Sequence, residues 1–274
     1  MSSVLTSMHF LLVSPFRWDV GPELFQLGPL SIRWYGLLFA TAFFLGFLYM
    51  RYVFVREHKK VESLDSLLFY MMISTIVGAR LGHCLFYDPG YYLSNPIEIL
   101  KVWRGGLASH GGAIGILTGM YFYSRKQRKQ PYLWLLDRVV VPIALAGSLI
   151  RLGNLFNSEI LGIPTEKPWA IIFARVDEFA RHPAQLYESI SYLIIFGCLH
   201  FIYKRLGDRT PNGLLLGLFL VLVFSARFFI EFVKVRQAAF SDVLPLSMGQ
   251  LLSIPAVIAG VILLIRALNK MKSS

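Results

Sequence analysis

The chain has 274 residues, of which 55% are hydrophobic and only 16% are charged. This composition excludes an ordinary soluble domain and is typical of a polytopic membrane protein. The formal net charge of +11 is also typical of nucleic-acid binding proteins, but here the basic residues concentrate in the connections between apolar segments, so the charge follows membrane topology.

Seven runs of about 20 apolar residues predict membrane-spanning helices. In chain order they are Leu30–Met50, Leu64–Tyr87, Leu107–Tyr123, Tyr132–Phe156, Ala184–Tyr203, Gly213–Val233 and Met248–Ala267. Runs of this length are too long for barrel strands, and a helix satisfies its own backbone in lipid. The sequence therefore predicts an all-α integral membrane protein, with one polytopic membrane domain over residues 1–274 and an extracytoplasmic segment at about 158–183.

The distribution of Lys and Arg predicts the orientation of these spans. The connections after spans one, three and five, together with the C-terminal end, are richer in basic residues than the opposite connections. The positive-inside rule then places the N-terminus outside and the C-terminus in the cytoplasm. In this orientation almost every charged residue within a span falls in the extracytoplasmic half, which indicates one functional pocket facing the outer leaflet.

Four arginines lie inside or at the edge of predicted spans, namely Arg33, Arg80, Arg151 and Arg227. An arginine at the centre of a span costs roughly 3 kcal/mol on insertion scales, so it normally faces a protein interior or a wet cavity. If the four converge, they form an anion site within the membrane. The alternative is that they extend to lipid headgroups, which residues near a span end reach at modest cost.

Aromatic residues mark the start of span one. Trp34 and Tyr35 follow Arg33 directly, at the expected membrane surface. Tryptophan and tyrosine are enriched at both membrane interfaces, so these two are either interface anchors or site residues.

A histidine lies among glycines at the entrance of span three, in the stretch RGGLASHGG from Arg104 to Gly112. Histidine titrates near neutral pH, so His110 is a candidate general base or, alternatively, an ordinary interface residue. Gly111, Gly115 and Gly119 recur every four residues, which favours close packing against another helix.

The end of span four carries the densest polar stretch, RLGNLFNSEILG from Arg151 to Gly162. Arg151 and Asn154 are three residues apart and project from one side of a helix. Asn157 and the serine after it favour a turn that ends the helix. An arginine and an amide together suit a phosphate, although a capped helix end is the alternative.

Two further polar groups lie near the outer ends of spans five and six. In HPAQLYE, from His182 to Glu188, Pro183 favours a helix start, and the segment is either part of a site or an interface anchor. Arg227 and Glu231 are four residues apart, so they could also neutralise each other on one helix face.

These segments together resemble the bacterial prolipoprotein diacylglyceryl transferases, in order and spacing over most of the chain. The matching pieces are IRWYG from Ile32, RGGLASHGG from Arg104, RLGNLFNSEILG from Arg151, HPAQLYE from His182, the stretch from Arg227 to Phe232, and SMGQ from Ser247. The chain departs from the family pattern at Ile150, Leu155, Ser158, Ala184 and Val223, none of which is a charged candidate.

The resemblance implies a transferase that moves the diacylglyceryl group of phosphatidylglycerol to the lipobox cysteine thiol of a prolipoprotein signal peptide. The products are a thioether and glycerol phosphate, and the reaction needs no metal or organic cofactor. The resemblance also implies a multi-pass protein of the bacterial cytoplasmic (inner) membrane, with an active site that faces the outer leaflet. It implies that the protein binds no nucleic acid.

The resemblance suggests a role for each matching residue. His110, Arg151 and Arg227 are the catalytic candidates, with both arginines clamping the phosphate and His110 helping to form the thiolate; an arginine is the alternative activator. The substrate-binding candidates are Tyr35, Arg80, Arg151, Asn154, Glu159, Gly162, Glu188, Arg227 and Glu231. No metal ligand is expected.

Two other functions share some of these features. A secondary transporter for an organic anion also uses intramembrane arginines, but it commonly has paired repeats, broken helices or a midplane site, for which the sequence gives no signal. A seven-span receptor has the predicted span count and would bind its ligand without turnover.

Overall fold

The structure is a computed structural model that describes residues 15–28, 30–102, 105–106, 108–127, 130–236 and 246–272. The long helices are α1 (Trp34–Arg56), α2 (Ser63–Phe86), α5 (Ser109–Lys126), α6 (Tyr132–Asn157), α7 (Ala184–Leu206), α8 (Leu214–Ile230) and α9 (Met248–Lys272). Two short helices, α3 (Pro89–Ser94) and α4 (Pro96–Ile99), follow α2. The prediction of a mostly helical chain is confirmed.

Within the described residues, six helices are long and apolar enough to cross a membrane, namely α1, α2, α6, α7, α8 and α9. The third predicted span is also a helix, α5, but it is shorter, at 18 residues, and is not among the six. Glycines at four positions and two basic residues in its last turn lower its hydropathy. Two residues of its entrance motif, Arg104 and Leu107, lie outside the described residues.

The chain forms two compact units. The first contains residues 1–43, 144–197 and 220–259, and the second contains residues 44–143, 198–219 and 260–274. Helices α1, α6, α7, α8 and α9 each have residues in both units, since the unit boundaries fall within these helices.

Strands in the first unit join the N-terminal segment to the chain after α6. Strand β1 (Phe16–Trp18) pairs in parallel with β4 (Ile171–Phe173), which pairs antiparallel with β5 (Ala180–Arg181). Leu155, Ile171 and Phe173 form a buried cluster under this sheet, and Trp18 packs against it. The sheet and its core therefore anchor the segment after α6 next to the end of that helix.

The predicted start of span one was wrong by four residues. Residues 30–33 form strand β3 (Leu30–Arg33), which pairs antiparallel with β2 (Glu23–Leu27), and α1 begins only at Trp34. A short hairpin connection through Gly28, which has φ of 58°, brings the two strands together. Arg33 is therefore an exposed strand residue that precedes α1, and its guanidinium lies 3.9 Å from the carboxylate of Glu23.

In the second unit, α2 and α5 pack backbone against backbone. A Cβ atom placed on Gly111 would lie 2.3 Å from the carbonyl oxygen of Gly78, and one on Gly115 would lie 2.0 Å from that of Ser74. Small residues permit this close approach of two helices in a membrane. The predicted glycine face of the third span is confirmed.

Candidate active site

The last turn of α6 and the residues after it form one side of the site, in the first unit. The helix ends at Asn157, as the sequence predicts, and Ser158 and Ile160 adopt positive φ values of 55° and 57°. These conformations turn the chain back, and the backbone N–H of Glu159 donates to the carbonyl of Asn154 at 2.9 Å. The Glu159 side chain is thereby returned toward the helix that precedes it.

Hydrogen bonds link the polar side chains of this turn. Arg151 Nη1 donates to Asn154 Oδ1 at 3.1 Å, and Asn154 Nδ2 donates to Glu159 Oε2 at 3.0 Å. Asn157 Nδ2 donates to the other oxygen of Glu159 at 3.1 Å. Asn154 is therefore fixed on both sides of its amide, and it orients the guanidinium of Arg151.

Helix α7 contributes a fully buried carboxylate to the same region. Pro183 precedes α7, as predicted for a helix start, and the Glu188 side chain has 0% exposure. Its Oε2 lies 2.9 Å from Arg151 Nε, and its Oε1 lies 3.6 Å from Lys234 Nζ. Neither oxygen has a hydrogen-bond partner within the described residues, so Coulomb attraction between buried charges holds these contacts.

The residues that follow α8 supply two more charged side chains, Glu231 and Lys234. Lys234 Nζ donates to Glu231 Oε2 at 3.0 Å, and the lysine side chain is only 5% exposed. Arg151 and Lys234 together balance Glu188 and Glu231, so this buried group of four is neutral overall. Lys234 is not among the candidate residues of the sequence analysis, although its spacing of three residues from Glu231 was an available signal.

Arg227 is not part of this neutral group of four charged side chains. Its buried Nε has no hydrogen-bond partner, and no ion pair joins Arg227 to a carboxylate within the part of the chain that the structure describes. The alternative that Arg227 and Glu231 neutralise each other is therefore wrong. A half-buried guanidinium without a counter-ion carries a large desolvation cost, which a bound anion would offset.

Tyr192 connects the two arginines. Its hydroxyl lies within electrostatic range of Arg151, Arg227 and Glu188. Arg151 and Arg227 are therefore both within electrostatic range of one hydroxyl, that of Tyr192. The sequence analysis missed Tyr192, although its position four residues after Glu188 places both on one face of α7.

Tyr35 packs on α6 beside this group. A Cβ atom on Gly153 would lie 2.7 Å from Cδ2 of Tyr35, so only glycine leaves room for the ring. The tyrosine hydroxyl is within electrostatic range of Glu159 and Arg151. Trp34 instead stacks on Phe156, with ring centres 4.6 Å apart.

Gly162 joins the turn after α6 to two other segments. Its N–H donates to the carbonyl of His182 at 3.2 Å, and the next residue, Ile163, donates to the carbonyl of Val233 at 2.9 Å. A Cβ atom at Gly162 would lie 2.3 Å from the His182 oxygen. The crossing thus needs glycine, and it ties the turn to the segment that carries Lys234.

Arg181, in the segment between α6 and α7, strengthens this junction. It donates from Nη1 to the Gly162 carbonyl at 3.2 Å and from Nε to Asp177 at 3.1 Å. The hydrogen bonds that Arg181 donates to Asp177 hold the pKa of the Asp177 carboxyl below its usual range. The ion pair is therefore retained to lower pH than a free aspartate would allow.

Arg80 and His110 belong to the second unit. Arg80 is buried, and its guanidinium donates to main-chain carbonyls of Glu98, Ile99, Gly105 and Gly106. This arrangement indicates that Arg80 holds the chain between α4 and α5. His110 lies exposed in the first turn of α5, and its role as a base stays a prediction.

The sequence of this chain matches that of a known protein family. The family model for prolipoprotein diacylglyceryl transferase matches residues 22–266. The chain belongs to this family. The match extends from the β2–β3 hairpin to α9, so it includes all the motifs that carry the resemblance.

Curated relatives of the prolipoprotein diacylglyceryl transferase family match nearly the whole chain. A phosphatidylglycerol–prolipoprotein diacylglyceryl transferase of Chloroherpeton thalassium is 56% identical over 92% of this chain and 94% of its own length. The enzymes of the same name from Tolumonas auensis and Porphyromonas gingivalis are 49% and 46% identical, over 90% and 92% of this chain and 96% and 94% of their own lengths.

Proposed function

We propose that this chain transfers the diacylglyceryl group of phosphatidylglycerol to the lipobox cysteine thiol of a prolipoprotein. The names of its relatives state both substrates, phosphatidylglycerol and prolipoprotein. The observation that carries the proposal is Arg227, a cation whose buried Nε has no partner, in a group whose other buried charges are matched. An anionic phosphate is a ligand whose charge complements such a site.

The reaction breaks one carbon–oxygen bond and forms one carbon–sulfur bond. The thiolate sulfur attacks the diacylglyceryl carbon that bears the phosphate ester, and glycerol phosphate leaves with the electron pair of the broken bond. The thiol proton passes to a base. Negative charge develops on the departing phosphate, so a fixed cation such as Arg227 lowers the barrier more than it stabilises the bound lipid.

Arg151 is the second phosphate contact in this proposal. Glu188 and Asn154 hold two of its nitrogens, which fixes the plane of the guanidinium before the lipid binds. A preorganised donor needs little rearrangement during the reaction. Glu159 and Gly162 act indirectly, because they hold Asn154 and the turn after α6 in place.

His110 is the candidate base for the thiol proton, on the strength of its place in the family motif. Histidine is suited to general base catalysis near neutral pH. The alternative is that an arginine lowers the pKa of the substrate thiol, directly or through a water molecule.

We also propose the membrane arrangement that the sequence predicts. In it, α5 is a seventh span, the N-terminus is outside, and the site faces the outer leaflet of the bacterial cytoplasmic membrane. The distribution of basic residues supports this orientation, and phosphatidylglycerol is then available from the surrounding leaflet.

A turnover assay tests this function. The purified chain in nanodiscs containing phosphatidylglycerol is mixed with a lipobox peptide, and both products are quantified. Equal amounts of glycerol phosphate and thioether-linked peptide are expected, with none from a peptide in which serine replaces the cysteine. Binding of either substrate without product would favour a receptor, and movement of an organic anion across vesicles without product would favour a transporter.

A further inference from the structure

A reciprocal pair of hydrogen bonds builds the first turn of α9. The backbone N–H of Gln250 donates to Ser247 Oγ at 3.3 Å, and the backbone N–H of Ser247 donates to Gln250 Oε1 at 2.9 Å. This is a capping box with glutamine at the third helical position. Both residues are buried. The sequence analysis gave the SMGQ motif no role of its own, and the structure shows that it fixes the start of a helix inside the protein.

This turn is attached to the end of α8, next to Arg227. Gln250 Nε2 donates to the carbonyl of Phe228 at 3.4 Å. Phe228 is in the last turn of α8, where carbonyl groups have no partner further along the helix. The end of α8 and the start of α9 both belong to the first unit. Gln250 therefore caps α9 and also links it to the helical turn that carries Arg227.

Gly249, in the same turn of α9, lies against the carboxylate of Glu231. A Cβ atom at Gly249 would lie 2.6 Å from Cδ of Glu231 and 2.8 Å from each of its two carboxylate oxygens. Only glycine leaves room for the carboxylate in this position. The amino end of a helix carries a partial positive charge, which stabilises an anionic side chain there. The first turn of α9 therefore holds Glu231 together with Lys234, whose ammonium lies 3.0 Å from it.

We propose that Gly249 and Gln250 are positioning residues for phosphate binding at Arg227. Glu231 is otherwise a natural partner for Arg227, because opposite charges four residues apart attract each other. By fixing the carboxylate of Glu231 at the start of α9, the two residues keep it from pairing with the arginine. Arg227 forms no ion pair within the described residues and stays available for an anion. The inference rests on the proposed role of Arg227, and both residues act through Glu231 without touching the lipid.

Gly249→Ala tests the proposal by steady-state kinetics in mixed micelles, with phosphatidylglycerol as the varied substrate. The added methyl group overlaps only the end of a flexible side chain, so the fold should persist while the carboxylate of Glu231 is displaced. A displaced carboxylate that pairs with Arg227 leaves a smaller fraction of the enzyme competent to bind lipid. We expect KM to rise about tenfold and kcat to change by less than about twofold. Gly197→Ala, with no atom within 4 Å of its Cβ position, is the matched control and should leave both constants unchanged.

The Glu231→Gln background shows whether the effect passes through the carboxylate. Affinity for an unreactive phosphonate analogue of phosphatidylglycerol is measured there, so that the result does not depend on turnover. In the unaltered background, Gly249→Ala should weaken this affinity about tenfold; with Gln at position 231 it should weaken it by less than about twofold. An equal loss of affinity in both backgrounds would overturn the proposal.

The kinetics also separate positioning from loss of structure. A lower kcat with unchanged KM in Gly249→Ala would show only that less enzyme is folded, and it would overturn the proposal. Normal product formation with the same KM in Gly249→Ala and Gly197→Ala would overturn this inference alone, whereas no product from the unaltered chain would refute the proposed function and this inference with it. If Gly249→Ala does not fold, Gln250→Met decides, because it removes the hydrogen bond to Phe228. A higher KM with kcat retained supports the proposal, and an unchanged KM overturns it.

Discussion

The ammonium of Lys234 lies 3.0 Å from the carboxylate of Glu231, the residue that sequence spacing pairs with Arg227. Helix α8 ends at Ile230, and Glu231 begins a tight 3₁₀ turn. The carboxylate of Glu231 accepts a hydrogen bond from Lys234, three residues further along the chain. Lys234 therefore holds this carboxylate, and within the described residues Arg227 forms no ion pair, which under the proposed function leaves it available for a substrate phosphate.

This exchange of partners predicts that Lys234→Met slows the enzyme although Lys234 touches no reacting atom. Without the lysine, Glu231 and Glu188 have one neutralising partner fewer, and Glu231 becomes a competitor for Arg227. We expect turnover to fall at least about tenfold, with a higher KM for phosphatidylglycerol. The initial rate of glycerol phosphate release measures both quantities.

A second substitution separates this effect from simple loss of stability. Adding Glu231→Gln to Lys234→Met removes the competing carboxylate, so activity should recover in part while the melting temperature stays low. Equal activity of the single and double variants would argue against the competition for Arg227.

Removing either arginine should abolish most turnover without preventing membrane insertion. The loss of a preorganised donor to a developing negative charge costs about 10²-fold in kcat. We expect a decrease of at least this size for Arg227→Ala and for Arg151→Ala, measured as thioether formation on the lipobox peptide. Arg51→Ala, at an exposed position of α1, serves as the control. Near-normal rates in both site variants would refute the phosphate contacts.

Gly162→Ala should destabilise the junction that holds the turn after α6. The added methyl group would lie 2.3 Å from the His182 oxygen and 2.9 Å from that of Val233, and both are backbone atoms. We expect a lower melting temperature and reduced activity. Gly197→Ala is the matched control, because no atom lies within 4 Å of its Cβ position and alanine favours the helix. A similar response of the two variants would contradict the close crossing at Gly162.

The glycine face between α2 and α5 allows a similar comparison. A methyl group at Gly115 would lie 2.0 Å from the Ser74 carbonyl oxygen, whereas one at Gly112 has its nearest neighbour at 3.6 Å. Gly115→Ala should therefore cost about 1–3 kcal/mol through overpacking, and Gly112→Ala should be neutral or slightly stabilising. Thermal unfolding in one detergent compares the two, and equal melting temperatures would mean that the helices pack differently.

The sequence predicted those parts of the fold that depend on local chemistry. The end of α6 at Asn157, the start of α7 after Pro183, and the close approach at Gly115 all follow from the residue types at those positions. The strand at residues 30–33 was not predicted, because an apolar run reads equally as a helix or a strand until its partner, β2, is known.

Most members of the charged site were predicted, but Lys234 was missed and the pairing of the charges was not predicted. Arg151, Asn154 and Glu159 are close in sequence, so their contacts follow from one helix turn. Glu188 and Lys234 are distant from it in sequence, and their ion pairs depend on tertiary packing. Pair spacing within a helix gave the wrong partner for Glu231, which pairs with Lys234 in the structure.

His110→Gln tests the source of the thiolate. If His110 is the base, the variant should be severely slowed at neutral pH, because glutamine cannot accept the thiol proton. The rate of thioether formation is measured over a range of pH, with a fixed concentration of lipobox peptide. Full recovery of the rate at alkaline pH would instead assign thiol activation to an arginine.

The central claim is that the phosphate of the lipid occupies the space beside Arg227 and Arg151. Cryo-electron microscopy of the full chain tests it most directly. The ligand is a phosphatidylglycerol analogue in which a methylene group replaces the ester oxygen whose bond to the diacylglyceryl carbon is broken in the reaction. We predict the phosphonate oxygens at about 2.8 Å from both guanidinium groups. A headgroup held elsewhere, with Arg227 still contacting no anion, would contradict the account.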